Sequence, residues 1–232
     1  SYITGVGDEG NYFQNLANEH VRRWPSSLAA KYLQSDHGPR DLDAMTRIIR
    51  AEPTGTNTPA DDEVVVHLRV GDVIEDSHDA LNWMGPNAVD IPSDWDIPTF
   101  FEHGLGTPWE PAILHYVMRR PFYAEHLATL RAAGIRKATF IAGFFRPGIF
   151  RRSSQYIDIV REFFYHEGFD VRYRIGGGAD DDFTYLVRAK YLVQSGGGFS
   201  ALAAELNRRT GGTVLCSGTH FKCSLDGTNS GG

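Results

Sequence analysis

Val64-Val65-Val66-His67-Leu68-Arg69-Val70-Gly71-Asp72 is the stretch that decides the fold. Its near-continuous apolar start reads as a central parallel strand, covered on both faces. The strand delivers a His, an Arg and an Asp to its carboxyl end, where open α/β sheets keep their chemistry. In an extended chain His67 and Arg69 share one side while Val66 and Leu68 face the other layer. The guanidinium of Arg69 is a rigid fork of donors that suits a diphosphate better than a lysine would. Gly71 lets a ligand approach the backbone closely, and Asp72 is placed to orient Arg69 or His67. The competing reading is a buried Arg–Asp pair that only ties the strand end to a loop. Desolvation can cancel the attraction within such a pair, which moves weight toward function.

Downstream, Tyr191-Leu192-Val193-Gln194-Ser195-Gly196-Gly197-Gly198-Phe199-Ser200 is a second strand, opening through glycines into a helix. A helix start of this kind is a ready anion site. Between and around these runs the pattern alternates. A helix is expected from Pro111 to Ala133, a strand over Ala138 to Ala142 and a helix over Ser153 to His166. A strand follows over Phe169 to Tyr173, then a helix over Asp180 to Arg188 and the strand Tyr191 to Gln194. The last expected elements are a helix over Phe199 to Arg209 and a strand over Thr213 to Cys216. Strands alternating with helices mean parallel βαβ units. The expected fold is therefore α/β, a Rossmann-like parallel sheet with helices on both faces, occupying residues 63–232. Residues 1–62 read as a helical extension packed on that domain; Leu42, Met45, Ile48 and Ile49 mark its last helix. Residues 74 to 112 show no long period and many Pro, Gly, Asp and Trp residues, the profile of a long functional loop. Trp83, Trp95 and Trp109 either stack on sugar faces or hold this segment down.

Composition narrows the class. The chain of 232 residues carries a formal charge of −6, which argues against a nucleic-acid surface but not against a phosphorylated small ligand held by local arginines. No run approaches the ~18 apolar residues of a membrane span, so no membrane contact is expected from the chain. No signal peptide or N-x-S/T sequon is visible. Because the chain opens on Ser1, a Golgi or secretory lumen is expected if an anchor precedes it, and the cytoplasm otherwise. Cys216 and Cys223, with His220 between them, are too few ligands for structural zinc. They pair as a short-loop disulfide in an oxidising compartment or stay free.

His67-Leu68-Arg69-Val70-Gly71-Asp72 resembles the His-x-Arg-x-Gly/Arg-Asp signature of the fucosyltransferase superfamily, which includes α-1,2-, α-1,6- and protein O-fucosyltransferases. The run Tyr191 to Leu206 resembles that group's later motif, a strand ending in Ser before Ser-x-Phe and a helix. Asp180-Asp181-Asp182 with Phe183, Leu186 and Ala189 resembles its short acidic-start helix. The resemblance covers residues 64 to 72 and about 138 to 216. Val70 stands where many members carry Arg, and only about sixty residues precede the first motif.

The resemblance implies the nucleotide-binding half of a GT-B-like glycosyltransferase with GDP-fucose as donor substrate, a glycan or glycoprotein acceptor, and no metal or other cofactor. Arg69 would grip the diphosphate and stabilise the leaving group. His67 and Asp72 are the catalytic candidates beside it; Glu75, Asp76, His78 and Asp79 are further candidates for the base. Of these, His67 best fits proton transfer near neutral pH; the competing reading is a packed strand histidine. The binding set is Arg69, Gly71, Arg146, Arg151, Arg152, Asp181, Asp182, Ser195, Gly196, Gly197, Gly198, Phe199 and Ser200. Within it, Asp181 and Asp182 would accept from the guanine edge, and one of the three further arginines would complete the anion site. Plainer roles compete: Ser200 or Asp180 as a helix cap, Phe199 as packing, Arg146, Arg151 and Arg152 as a solvated turn. A non-catalytic glycan- or nucleotide-binding protein of the same fold is the alternative function. A hydrolase ranks last, since no G-x-S-x-G elbow is present.

Overall fold

The computed structural model describes residues 42–51, 58–75, 95–106, 116–143, 151–175 and 178–216. The helices expected before residue 42 lie outside them. The described chain runs α1 (Leu42–Ala51), β1 (Glu63–Leu68), α2 (Asp72–Glu75), α3 (Ile97–His103), α4 (Arg120–Ala132), β2 (Lys137–Ala142), α5 (Arg151–His166), β3 (Asp170–Ile175), α6 (Ala179–Arg188), β4 (Tyr191–Val193), α7 (Gly198–Arg209) and β5 (Thr213–Leu215). The five strands form one parallel sheet in the order β3-β2-β1-β4-β5. The chain builds outward from β1 through β2 to β3, then returns to the other side of β1 for β4 and β5. The direction reverses between β1 and β4, the position where doubly wound sheets open a crevice for ligands.

β1 is central and buried along its whole length, which is why its sequence is apolar without alternation. Val64, Val66 and Leu68 pack with Phe100, Phe101, Tyr123, Phe140 and Phe164 on the face covered by α3, α4 and α5. Val65 packs with Ile141, Leu192, Leu186 and Leu206 on the face covered by α1, α6 and α7. The alternation anticipated for Val66 and Leu68 is thus present. α1 belongs to this second layer through Ala44, Met45 and Ile49. It is also tied there by Arg188 Nη2 donating to the Ile49 carbonyl (2.8 Å) and by an Arg209–Asp43 ion pair at 2.7 Å.

Two segments differ from the expectation. Of the helix expected over Pro111 to Ala133, the described residues show Arg120–Ala132, with Pro121 in its first turn, while residues 111–115 lie outside them. A proline inside a helix would lose a hydrogen bond and clash with the preceding turn, so Pro121 sets the start. Val117 and Met118 before it are buried but not helical, and the Met118 carbonyl accepts from Tyr156 Oη at 2.7 Å. The stretch read as a long loop contains α3. Its Asp96 carboxylate caps Thr99 N at 2.8 Å and Pro98 occupies the first turn, the capping pattern of a short helix. Trp95 is buried, edge-on to Phe100 with ring centres 5.0 Å apart. It holds the segment down and offers no face to a sugar.

Candidate functional site

The site is assembled where β1 and β4 end side by side. Val66 pairs with Val193, the last residue of β4, so the chain after β4 turns beside His67. His67 Nδ1 lies 2.7 Å from Ser195 Oγ, and both side chains are buried. The imidazole packs at 5.6 Å on the ring of Phe199, which in turn meets Phe183 edge-on at 5.4 Å. Burial, with the nearby charge of Arg69 adding to it, lowers the His67 pKa to about 3. The ring is therefore neutral across the physiological range. It joins the end of β1 to the turn entering α7, and the near-neutral titration expected of a general base is not what its surroundings give it. Ser195, expected to reach a ligand, has its hydroxyl engaged by that ring.

Arg69 follows the strand and is half-buried. Its Nη1 donates to the Val70 carbonyl at 2.7 Å, and its guanidinium carbon stands 5.9 Å from the centre of the Tyr116 ring. Gly197 caps α7 with φ 90° and ψ 156°, a region that side chains rarely enter. A Cβ there would lie 3.7 Å from both Cδ and Nε of Arg69 and 4.0 Å from Tyr116 Cδ1. Arg69 and the glycine turn, 128 residues apart, are thus neighbours. Gly196 N donates to the Tyr116 carbonyl at 3.4 Å. Helix N-termini carry partial positive charge and free amide donors. A guanidinium set beside one forms an arrangement suited to an anion.

Ser200 is not the cap of α7; Gly197 holds that position. The Ser200 hydroxyl lies in the first turn with the residue only 1% exposed, and it has no hydrogen-bond partner among the described residues. Nor does Asp180 cap α6, whose cap residue is Gly178. Asp181 is exposed. Asp182 is buried and bonded by Arg174 Nε at 2.6 Å, with burial raising its carboxyl above the ordinary range against that arginine's pull. Arg174 also lies over the Tyr185 ring, 4.7 Å from its centre. Asp182 is thus committed inside the protein and is not open to a guanine edge.

Gly71 is also committed. It has φ 85°, its N–H donates to Ser153 Oγ at 2.9 Å, and its carbonyl accepts from Ile74 N and Glu75 N at 3.0 and 2.8 Å. The residue makes a turn; its amide is not open to a ligand. Asp72 opens α2, its side chain lying outside the described atoms. Glu75 Oε1 accepts from Ser153 N at 2.6 Å. Arg151 and Arg152 begin α5, on the same sheet edge as Arg69, and the Arg152 guanidinium stands 5.9 Å from the centre of the Trp95 ring. Arg146, Asp76, His78, Asp79, Trp83 and Trp109 lie outside the described residues. Cys216 is disulfide-bonded, and the chain's other cysteine, Cys223, also lies outside them. Among the described residues no group of three or more His, Cys, Asp or Glu side chains could hold a metal ion, and no helix is long and apolar enough to cross a membrane.

Sequence reasoning missed Tyr116, Ser153 and Arg174. Tyr116 lies in the segment read as a helix from Pro111, and Ser153 was read only as the start of α5. No local signal marks either as a neighbour of Arg69 or Gly71. No family model, curated protein or solved structure matches the chain.

Proposed function

We propose that the chain is the nucleotide-sugar-binding half of a glycosyltransferase, with GDP-fucose as donor and a glycan or glycoprotein as acceptor. The observation that carries this reading is Arg69 beside the uncapped first turn of α7 at the switch point of the sheet. The base and sugar rest on the sequence motifs at residues 64 to 72 and 191 to 206. In the reaction, the acceptor oxygen bonds to the anomeric carbon as the carbon–oxygen bond to the diphosphate breaks. The diphosphate leaves with the electron pair, and the acceptor proton passes to a base. Charge grows on the leaving oxygen, and a preorganised cation with amide donors stabilises that stage more than the bound ground state. No metal is required for this step where Arg69 meets the charge. The Cys216 disulfide supports an oxidising lumen as the place of action.

The second reading is a protein that binds the nucleotide without transfer. What favours it is the engagement of two base candidates, His67 in a buried contact with Ser195 and Glu75 on the first turn of α5. Calorimetry with GDP, UDP, ADP and GDP-fucose tests the shared part. GDP binding that is lost in Arg69→Lys is the expected result, and absence of binding by all four removes both readings. An acceptor screen for fucose transfer then separates enzyme from binding protein.

A further inference from the structure

One peptide unit, Val70–Gly71, is held at both ends. Its carbonyl accepts from Arg69 Nη1 at 2.7 Å, and its N–H donates to Ser153 Oγ at 2.9 Å. The orientation of this peptide plane therefore sets the anchor point of the guanidinium. A peptide that precedes a glycine at positive φ is easily turned over, because glycine accepts either sign of φ; Gly71 stands at φ 85°. Ser153 is fully buried and belongs to α5, the first helix after β2. Its own N–H is an otherwise orphaned donor of the first helical turn, and Glu75 Oε1 accepts it at 2.6 Å. Glu75 closes the turn that Gly71 opens, since Glu75 N donates back to the Gly71 carbonyl at 2.8 Å. The contacts run in a ring: Glu75 holds Ser153, Ser153 holds the Val70–Gly71 peptide, and that peptide holds Arg69.

We propose that Ser153 and Glu75 are positioning residues for Arg69, locking the Val70–Gly71 peptide so that the guanidinium stays beside Gly197. The consequence for binding rests on the diphosphate reading of Arg69; the consequence for the side chain's conformation does not. A protein without the lock keeps its sheet and core, while the guanidinium loses the fixed orientation of its Val70 acceptor.

The test follows the Arg69 Nε–H resonance in nitrogen-15-labelled protein, assigned by its loss in Arg69→Lys, alongside calorimetry with inorganic pyrophosphate. In Ser153→Ala the resonance is expected to broaden or move toward that of a free arginine, and affinity for pyrophosphate to fall about tenfold, the scale of one net hydrogen bond. Glu75→Ala and Glu75→Gln remove the same charge, but only the amide keeps an oxygen for Ser153 N. Glu75→Gln is therefore expected to retain the wild-type resonance and Glu75→Ala to lose it, and this pair decides if Ser153→Ala does not fold. A resonance unchanged in both Ser153→Ala and Glu75→Ala, or moved equally by Glu75→Ala and Glu75→Gln, overturns the proposal. A resonance that moves as expected in a protein that binds no pyrophosphate sustains the positioning role and rejects the diphosphate reading.

Discussion

Two helices begin on either side of the β1 carboxyl end, α5 after β2 and α7 after β4, and their first turns are treated in opposite ways. At α5 a carboxylate is set on the N-terminus, with Glu75 accepting from Ser153 N at 2.6 Å. At α7 the cap is a glycine, no described side chain caps the turn, and Arg69 stands 3.7 Å from where a Gly197 Cβ would be. A helix N-terminus behaves as roughly half a positive charge, so a carboxylate there is stabilising and a cation is not. At α5 the Glu75 contact follows the rule for stability, although Arg151 and Arg152 open the same turn. At α7 no described side chain takes the cap and a guanidinium stands nearby. An anion between Arg69 and the first turn of α7 would meet favourable charge from both. The difference teaches where in this symmetric-looking edge to look for the ligand: on the β4 side.

The largest effect expected from this contrast belongs to Arg69. Arg69→Lys retains the charge and loses the two-pronged geometry. Any transfer is expected to fall on the order of 10²-fold or more, the scale of a lost transition-state donor, with weaker GDP binding and a melting temperature close to that of the wild type. A folded Arg69→Lys protein with unchanged GDP affinity would break the comparison, because the α7 turn would then owe nothing to its neighbouring cation. Asp72→Asn is expected to weaken binding less if Asp72 only orients Arg69.

Much of the frame could be read from the chain. The near-continuous apolar run Val64–Leu68 identifies the central strand because burial on both faces leaves few polar positions, His67 being the exception. The order of strands and helices after it identifies the parallel sheet. Helix starts were less readable: the break before Arg120, where the Met118 carbonyl accepts from Tyr156 Oη, has no local signal except Pro121. The site was legible in part. Arg69 and Gly197 each have a motif, and the fold makes them neighbours. The roles of His67, Asp182 and Gly71 were not legible, because each depends on a partner far along the chain or on burial. His67 meets Ser195 across 128 residues, and no local pattern states that an imidazole will be desolvated.

A glycine pair sharpens the comparison with a smaller effect. Gly197 at φ +90 and Gly168 at φ +87 both have positive φ, but a Cβ at Gly168 meets nothing within 4 Å. Alanine at either position is expected to cost about 1–3 kcal/mol of stability for the strained backbone, measured by chemical denaturation. Only Gly197→Ala also sets a methyl group against Arg69 and Tyr116. It is expected to weaken GDP binding several-fold, while Gly168→Ala leaves affinity unchanged. Equal affinities in the two variants would mean that the close approach at Gly197 serves the turn alone.

The smallest effect is the one that pH exerts through His67, the residue joining β1 to the turn into α7. Its pKa in the folded protein is about 3, below the ordinary 6.5, with burial the main cause and the Arg69 charge the second. In the unfolded chain the ring takes a proton near 6.5; in the folded protein it stays neutral until about 3. Stability from this group is therefore complete above 6.5 and drains away as pH falls through that window, at about 1.4 kcal/mol per pH unit. His126, whose pKa is also lowered by burial, contributes with the same sign, so the wild-type slope alone does not isolate His67. His67→Gln removes the His67 titration and leaves that of His126 in place. Urea unfolding of both proteins between about pH 6.5 and pH 5, above the ordinary carboxylate range, is expected to give a shallower loss of stability in the variant. Protonation would place a second cation beside Arg69 on the α7 side, so acid is expected to loosen that side first. Amide exchange that rises at Gly196 and Gly197 before it rises at Ser153 is the signature of that order. Identical slopes for wild type and variant would mean that the imidazole is not buried as a neutral ring, and that the turn into α7 does not depend on it.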